Sequence, residues 1–144
     1  MTIERERSHA IAALLAARGI NEIVVSPGSR NAPLIEAIAR ESSIKKTVVI
    51  DERSAAFVAL GKASVLQQCV ALLCTSGTAL LNYAPALAEA RYRNIPLLAI
   101  TADRAHEWIN RNDAQTIEQQ NVYANFIKRS FSIDARDGNR HISL

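Results

Sequence analysis

Four short apolar segments, separated by segments with helical periodicity, constrain the fold of this chain most strongly. Strands that alternate with helices at this spacing are typical of a doubly wound parallel sheet, an α/β fold with helices on both faces. The carboxyl ends of parallel strands meet at one edge, and ligands of open α/β sheets bind there. The predicted strands are residues 20–25, 47–50, 69–74 and 96–101.

Polar residues come at the end of each predicted strand, so the four polar groups are expected to meet at that edge. They are residues 26–31, 51–53, 75–78 and 101–104. We interpret segment 47–50 as a buried, central strand, which places Glu52 at the rim of the sheet. Segment 69–74 is apolar on both faces, as expected of a strand that helices cover on each side.

Helical periodicity predicts helices over residues 2–18, 31–41, 53–66 and 76–92. Gly19 suits the position after the first helix, and Pro85 is expected to bend or divide the fourth. Beyond residue 103 the periodicity is lost. The sequence there predicts a loop over 106–120, a short helix over 121–126, a last strand over 128–133 and a turn or frayed tail over 136–140.

Glu52 admits two interpretations. A carboxylate at the start of a helix is favoured by the helix dipole and often has no further role. At the rim of a sheet, a carboxylate can instead share a proton with a ring nitrogen of a heterocyclic ligand.

Arg30 is harder to explain as a structural residue, because the helix dipole disfavours a cation at a helix N-terminus. Gly28 permits an unusual turn, and Ser29 or Asn31 can cap the helix. Together with the helix amides, Arg30 predicts a pocket for a carboxylate or phosphate. The small residues 75–78 would let a flat ligand approach the backbone closely, or they form a capped helix start with a glycine for tight packing.

Arg104 also has two possible roles. It can form a solvated ion pair with Asp103, which would contribute little. It can instead point into the crevice as a second anion clamp. The polar loop that carries Asn112, Gln115 and Gln119 would then close over it as a lid.

Composition narrows the remaining function classes. The 144 residues suit one domain, and a net charge of +3 is too small to indicate a nucleic-acid partner. No segment approaches the ~20 apolar residues of a membrane span. Cys69 and Cys74 lie about 16 Å apart along one strand, too far for a disulfide, so we expect a cytoplasmic protein with reduced cysteines. The three histidines lack metal-binding spacing.

Five strings in this order carry a family resemblance: VVSPGSRNAPL at 24–34, DERSAAFVALGKA at 51–63, CTSGTALLNYAPALAEA at 74–90, LLAITADR at 97–104 and AQTIEQ at 114–119. They resemble the thiamine-diphosphate-dependent 2-succinyl-5-enolpyruvyl-6-hydroxy-3-cyclohexene-1-carboxylate (SEPHCHC) synthases of menaquinone biosynthesis. The resemblance implies that residues 1–144 form the N-terminal pyrimidine-binding domain, as a fragment of a longer multidomain chain.

The resemblance also implies roles for single residues. Glu52 would hydrogen-bond N1′ of the aminopyrimidine and promote the imino tautomer that deprotonates the thiazolium. The residues expected to bind substrate are Ser29, Arg30, Arg104 and Gln115. Those expected to face the cofactor, besides Glu52, are Pro27, Gly28, Ser76, Gly77 and Thr78. Two positions depart from the family pattern, with Ala105 where relatives usually have proline and Asn112-Asp113 where they often have Gly-Ala.

The implied activity is that of a transferase that decarboxylates 2-oxoglutarate and adds the succinyl-semialdehyde carbanion to isochorismate. Thiamine diphosphate and Mg²⁺ or Mn²⁺ would be the cofactors, with diphosphate and metal held by a separate C-terminal domain. The full-length enzyme would be a homodimer or higher homo-oligomer, and these 144 residues alone would be inactive. Two alternatives remain: the same domain of another thiamine-diphosphate 2-oxo acid decarboxylase, and a non-catalytic structural subunit.

Overall fold

Four parallel strands form one sheet in the computed structural model, which describes residues 3–109, 111 and 113–133. The strands are β1 (Glu22–Val25), β2 (Lys45–Val48), β3 (Val70–Cys74) and β4 (Leu97–Thr101). Their order across the sheet is β2-β1-β3-β4, and every neighbouring pair is parallel. The predicted α/β fold with a parallel sheet is therefore confirmed.

Five α-helices and one 3₁₀ turn precede, connect and follow the strands within the described residues. They are α1 (Ile3–Ala17), α2 (Ala32–Arg40), α3 (Glu52–Leu66), α4 (Thr78–Leu81), α5 (Ala84–Arg93) and the 3₁₀ turn His106–Trp108. Gly19 has a positive φ of 71°, as expected of the residue that ends α1. The helix predicted over 76–92 is divided ahead of Pro85, which has no N–H to continue a helix.

The helices bury both faces of the sheet. On one face, Val24 and Leu72 pack with apolar side chains of α3, α4 and α5. On the other face, Ile23 and Leu73 pack with those of α1 and α2. Because successive residues of a strand point to opposite faces, β3 contributes to both cores and is buried along its whole length. The prediction that helices cover this strand on each side is confirmed.

The prediction of a buried central strand at 47–50 was wrong in two respects. The strand, β2, spans Lys45–Val48 and so begins two residues earlier, and it lies at the edge of the sheet. Val48 is 66% exposed and Ile50 is 81% exposed. A short run of β-branched residues favours a strand, but strand order depends on contacts with β1 and β3 that the run itself does not encode.

The segment after β4 also differs from the prediction. Residues 121–126 form a series of turns rather than a helix, and Asn121 has a positive φ of 59°. Residues 128–133 form no strand, and Phe131 is 67% exposed there. The turn predicted over 136–140 lies outside the described residues. Among the helices that the structure describes, none is long and apolar enough to cross a membrane.

A buried carboxylate joins the sheet to α3 at the amino ends of the strands. Glu22, the first residue of β1, accepts a hydrogen bond from Lys62 Nζ at 2.6 Å, and Lys45 Nζ lies 3.6 Å away. The hydrogen bond from Lys62 is the main cause that lowers the pKa of Glu22 below its ordinary 4.5. The pair thus links strand β1 to the second half of α3.

Lys62→Met is expected to destabilise the domain by about 1–3 kcal/mol at pH 7, because it removes a charged partner from a buried carboxylate. The folded pKa of Glu22 is lowered, so this contribution is present above the unfolded pKa and is lost as the pH falls through the folded pKa. Urea denaturation of both proteins at pH 7 and near pH 3 measures the difference.

Arg40→Met is the matched control, since it removes the exposed ion pair of Arg40 with Glu36, whose atoms lie 2.8 Å apart. Exposed pairs of this kind contribute less than about 0.5 kcal/mol. Equal losses in the two variants, or a Lys62→Met loss that does not shrink in acid, would contradict this account.

Candidate functional site

The polar loops leave the sheet side by side because the strand pairing continues past the strand ends. Ser26 N donates to Leu73 O at 2.8 Å, and Ala102 N donates to Cys74 O at 3.1 Å. At the other edge, Val49 N donates to Val25 O at 3.0 Å. The four polar groups that the sequence placed after the strands therefore share one edge of the sheet, called here the rim.

A single buried amide shapes the loop between β1 and α2. Asn31 Nδ2 donates to Ser26 O at 2.9 Å, and Asn31 Oδ1 accepts from Gly28 N at 2.8 Å. Asn31 occupies the cap position of α2, but its side chain forms no capping hydrogen bond. Asn31 therefore braces the loop instead of capping the helix, a role that the sequence analysis missed. The sequence alone shows only a polar residue three positions after Gly28, and the burial of Asn31 is seen only in the structure.

Two glycines bring neighbouring loops into close contact. A Cβ on Gly28 would lie 2.6 Å from Thr75 Cβ, so Gly28 packs the first loop directly on the third. Gly77 has φ 74° and ψ −138°, and a Cβ there would lie 2.6 Å from Gln115 Cα. Both loops therefore approach their neighbours more closely than any side chain would allow.

Glu52 lies at the rim as the first residue of α3, half-buried. Asp51 is the cap of this helix and accepts a hydrogen bond from Ser54 N at 2.7 Å. The side chain of Glu52 forms no ion pair or hydrogen bond with the described residues. Burial raises the pKa of the Cys74 thiol to about 12, and the negative charge of Glu52 adds to that rise. Glu52 is thus close to the end of β3, with its carboxylate available to a ligand.

Buried hydroxyl groups lie beneath the rim. Thr75 Oγ1 and the Tyr83 hydroxyl are both buried without a hydrogen-bond partner in the described part of the chain. The Tyr83 hydroxyl lies near the Cys74 thiol but not in good hydrogen-bond geometry. Burial raises the pKa of Tyr83. Burying a hydroxyl without a hydrogen-bond partner costs free energy, and both hydroxyls lie near the end of β3.

Residues 113–119, called here the rim loop, lie over the ends of β3 and β4. Ser76 Oγ donates to Gln115 O at 2.9 Å, and Gly77 N donates to Gln119 Oε1 at 2.8 Å. Gln119 Nε2 in turn donates to Ala102 O at 3.0 Å. A loop in the predicted range 106–120 thus covers the rim. Asn112, named with it in the sequence analysis, lies outside the described residues.

Both predicted anion-binding arginines point toward the rim loop. Arg30 Nη1 donates to Gln115 Oε1 at 2.7 Å, and Arg30 Nη2 donates to Ala114 O at 3.3 Å. Arg104 forms its ion pair with Asp113. The suggested solvated pair with Asp103 is not formed among the described residues; the Asp103 carboxylate instead accepts from the backbone N of Arg104 at 2.7 Å.

The other predicted site residues surround this arrangement. Pro27, Ser29 and Thr78 are exposed, whereas Ser76 and Gly77 are buried. Ser76 and Gly77 hold the rim loop through the hydrogen bonds given above. Pro27, Ser29 and Thr78 are accessible to a ligand. The structure therefore brings Glu52, both arginines and Gln115 to one edge of one sheet.

This combination of a parallel α/β sheet, a ligand-accessible carboxylate at its carboxyl edge and a loop folded over that edge defines a ligand-binding domain of the open-sheet class. Comparison with known proteins identifies the family within this class. The chain belongs to the family described as thiamine pyrophosphate enzyme, N-terminal TPP binding domain, which matches residues 5–122.

Among curated proteins the chain is similar to SEPHCHC synthases, as the strings in the sequence predicted. It is 53% identical to that of Porphyromonas gingivalis over 122 residues, which cover 85% of this chain and 21% of the relative. It is 56% identical to that of Desulfotalea psychrophila over 117 residues, which cover 81% of this chain and 22% of the relative. The chain thus spans about a fifth of the length of these curated relatives.

A solved structure supports the fold. Benzoylformate decarboxylase from Polynucleobacter necessarius superposes with a TM-score of 0.74 over 91% of this chain and 24% of that chain. The two sequences are 22% identical, so the likeness concerns the fold alone.

The residues at the rim fit the pyrimidine end of thiamine diphosphate. The half-buried Glu52 carboxylate, which has no partner among the described residues, suits a ring nitrogen, and the unsatisfied hydroxyls of Thr75 and Tyr83 lie near the end of β3. Within the described residues there is no group of three or more His, Cys, Asp or Glu side chains that could hold a metal ion.

Gly77→Ala is expected to destabilise the domain by about 2–4 kcal/mol and to release the rim loop. The added methyl group would meet the Gln115 backbone, and φ 74° with ψ −138° is a conformation that few residues other than glycine adopt. Urea denaturation measures the stability, and the rate of proteolysis within 113–119 reports the loop.

Gly19→Ala is the matched control, because Gly19 also has a positive φ but a Cβ there meets nothing within 4 Å. It is expected to lose only about 1 kcal/mol, with no change in proteolysis of the rim loop. Equal losses of stability in the two variants, with the rim loop equally resistant to proteolysis, would contradict a role for the close contact between Gly77 and Gln115.

Proposed function

We propose that this chain is the pyrimidine-binding domain of a SEPHCHC synthase, a thiamine-diphosphate-dependent transferase of menaquinone biosynthesis. In this proposal the whole enzyme decarboxylates 2-oxoglutarate and adds the succinyl-semialdehyde carbanion to isochorismate. The observation that carries the proposal is the Glu52 carboxylate, which has no partner among the described residues, at a rim that also holds Arg30 and Arg104. The identities of 53% and 56% to synthases of that name favour it over other members of the family.

Glu52 is proposed to hold a proton at N1′ of the aminopyrimidine. Thiamine diphosphate, when bound, supplies a nucleophilic carbon and an acceptor for the electron pair that decarboxylation releases. The carboxylate contributes by keeping the proton on the ring nitrogen, which favours the imino form of the amino group next to the reacting carbon. Its half-buried position at the start of α3 limits competition from water for this hydrogen bond.

The two arginines are proposed to bind substrate carboxylates. Both 2-oxoglutarate and isochorismate carry two carboxylates, and guanidinium groups bind carboxylates through paired hydrogen bonds. We assign Ser29 and Gln115 to the same substrate site. Pro27, Gly28 and residues 76–78 are assigned to the side that faces the cofactor.

We further propose that the rest of the enzyme holds the diphosphate and Mg²⁺ or Mn²⁺, and that these 144 residues alone are inactive. The enzyme is proposed to be cytoplasmic and to work as a homodimer or higher homo-oligomer. The exposure of Val48, Ile50 and Phe57 supports an oligomer, because these apolar side chains flank Glu52 in the sequence and would gain by burial against a second subunit.

Turnover of the full-length protein tests the proposed function. Isochorismate with 2-oxoglutarate should yield CO₂ and a succinylated product in the presence of thiamine diphosphate and Mg²⁺. Pyruvate in place of 2-oxoglutarate should give little turnover, because it offers only one carboxylate to the two arginines. Decarboxylation of pyruvate without isochorismate would favour a 2-oxo acid decarboxylase, and no turnover at all would favour a structural subunit.

Glu52→Gln in the full-length protein is expected to reduce kcat at least about 100-fold while the melting temperature stays near that of the wild type. Glutamine has the same shape but cannot hold the proton at N1′. Asp51→Asn is the neighbouring control, since asparagine also caps helices and activity should change little. A Glu52→Gln enzyme with wild-type turnover would exclude the assigned role.

A further inference from the structure

Arg104 already has an anionic partner in the closed rim loop. Its guanidinium forms an ion pair with the Asp113 carboxylate, and its Nε lies 3.4 Å from Thr116 Oγ1. The Trp108 ring lies on another side, 5.7 Å from the guanidinium carbon. Arg104 and Asp113 are both partly buried, so solvent screens their attraction less than that of a surface pair.

Arg30 differs from Arg104 in the charge of its partners. The acceptors of Arg30 are the neutral oxygens of Gln115 and Ala114. A substrate carboxylate that replaced these neutral oxygens would form charge-assisted hydrogen bonds with Arg30, which are stronger. The same carboxylate at Arg104 would have to replace another carboxylate, so Asp113 opposes binding there by an amount close to the strength of the ion pair.

The rim loop does not depend on this ion pair for its position. Ser76, Gly77 and Ala102 each form a hydrogen bond with the loop, through Gln115 O and the Gln119 side chain. Asp113 Oδ1 also accepts from the backbone N of Ala114 at 2.8 Å, a bond that the oxygen of an asparagine can keep. The charge of Asp113 can therefore be removed while the loop stays docked.

We propose that Asp113 is an internal competitor of the substrate carboxylate at Arg104 and so sets the affinity of the rim for a dianionic substrate. This inference rests on the proposed function for the identity of that substrate. Binding then has two parts: a substrate carboxylate takes the guanidinium, and Asp113 turns away with the end of the loop. Asp113 determines affinity and touches no reacting atom.

Asp113→Asn tests this inference in the full-length protein. The KM for 2-oxoglutarate, isochorismate or both should fall roughly twofold to fivefold, the range expected for a partly exposed ion pair. Calorimetric titration with succinate, a dicarboxylate without the 2-oxo group needed for decarboxylation, should give a Kd lowered by a similar factor. Asp113→Glu, which keeps the charge, should remain near wild type.

Glu118→Gln is the matched control, because Glu118 is an exposed carboxylate of the same loop, and its removal changes the net charge equally. Its KM and Kd should change less than those of Asp113→Asn. A KM and Kd that rise in Asp113→Asn would show that Asp113 supports the loop. Unchanged values would show that the ion pair does not oppose binding of the substrate carboxylate. Either result overturns the inference, as does an equal effect of Glu118→Gln.

The proposed function and this inference can fail separately. If the wild type does not turn over isochorismate with 2-oxoglutarate, the proposed function fails, and the succinate titrations alone decide the role of Asp113. If succinate binds to neither protein, the rim has no dicarboxylate site at which Asp113 could compete, and the inference is overturned.

Discussion

The burial of β3 on both faces is the constraint on which the rest of the domain depends. Its five residues, from Val70 to Cys74, are buried, and helices on both faces of the sheet pack against them. A strand in this position cannot carry polar side chains at low cost, so polar chemistry is confined to the residues that follow its end. Because β1 and β4 pair with β3 in parallel, their ends are fixed at the same edge. The rim is thus a consequence of the core.

The sequence predicts those parts of the fold that depend on neighbours along the chain. Alternating strands and helices, the end of α1 before Gly19 and the break before Pro85 all follow from local periodicity or from one residue's backbone limits. The place of β2 at the edge does not, because it is decided by which strand β1 and β3 select as neighbours. The helix predicted over 121–126 and the strand predicted over 128–133 were wrong for a similar reason, since no strand of the described chain pairs with this segment.

In the candidate site, too, the features set by the local sequence were predicted and those set by distant contacts were not. Motifs after each strand identify Glu52, Arg30 and Arg104, because strand ends of a parallel sheet must meet. The partners of the arginines could not be predicted, since Arg30 and Gln115 are 85 residues apart and meet only when the rim loop folds back. Asn31 was also misjudged, because a cap and a loop brace call for the same residue type at the same position. Its actual role depends on the backbone of Ser26 and Gly28.

The contact between Gly28 and Thr75 couples two positions that are far apart in the sequence. With no Cβ at 28, the methyl and hydroxyl of residue 75 fill the space between the first and third loops. The combined volume of the two side chains sets how far apart the strand ends can open. A larger residue at either position would need a smaller one at the other, so proteins that share this crevice should show correlated side-chain size at these two places.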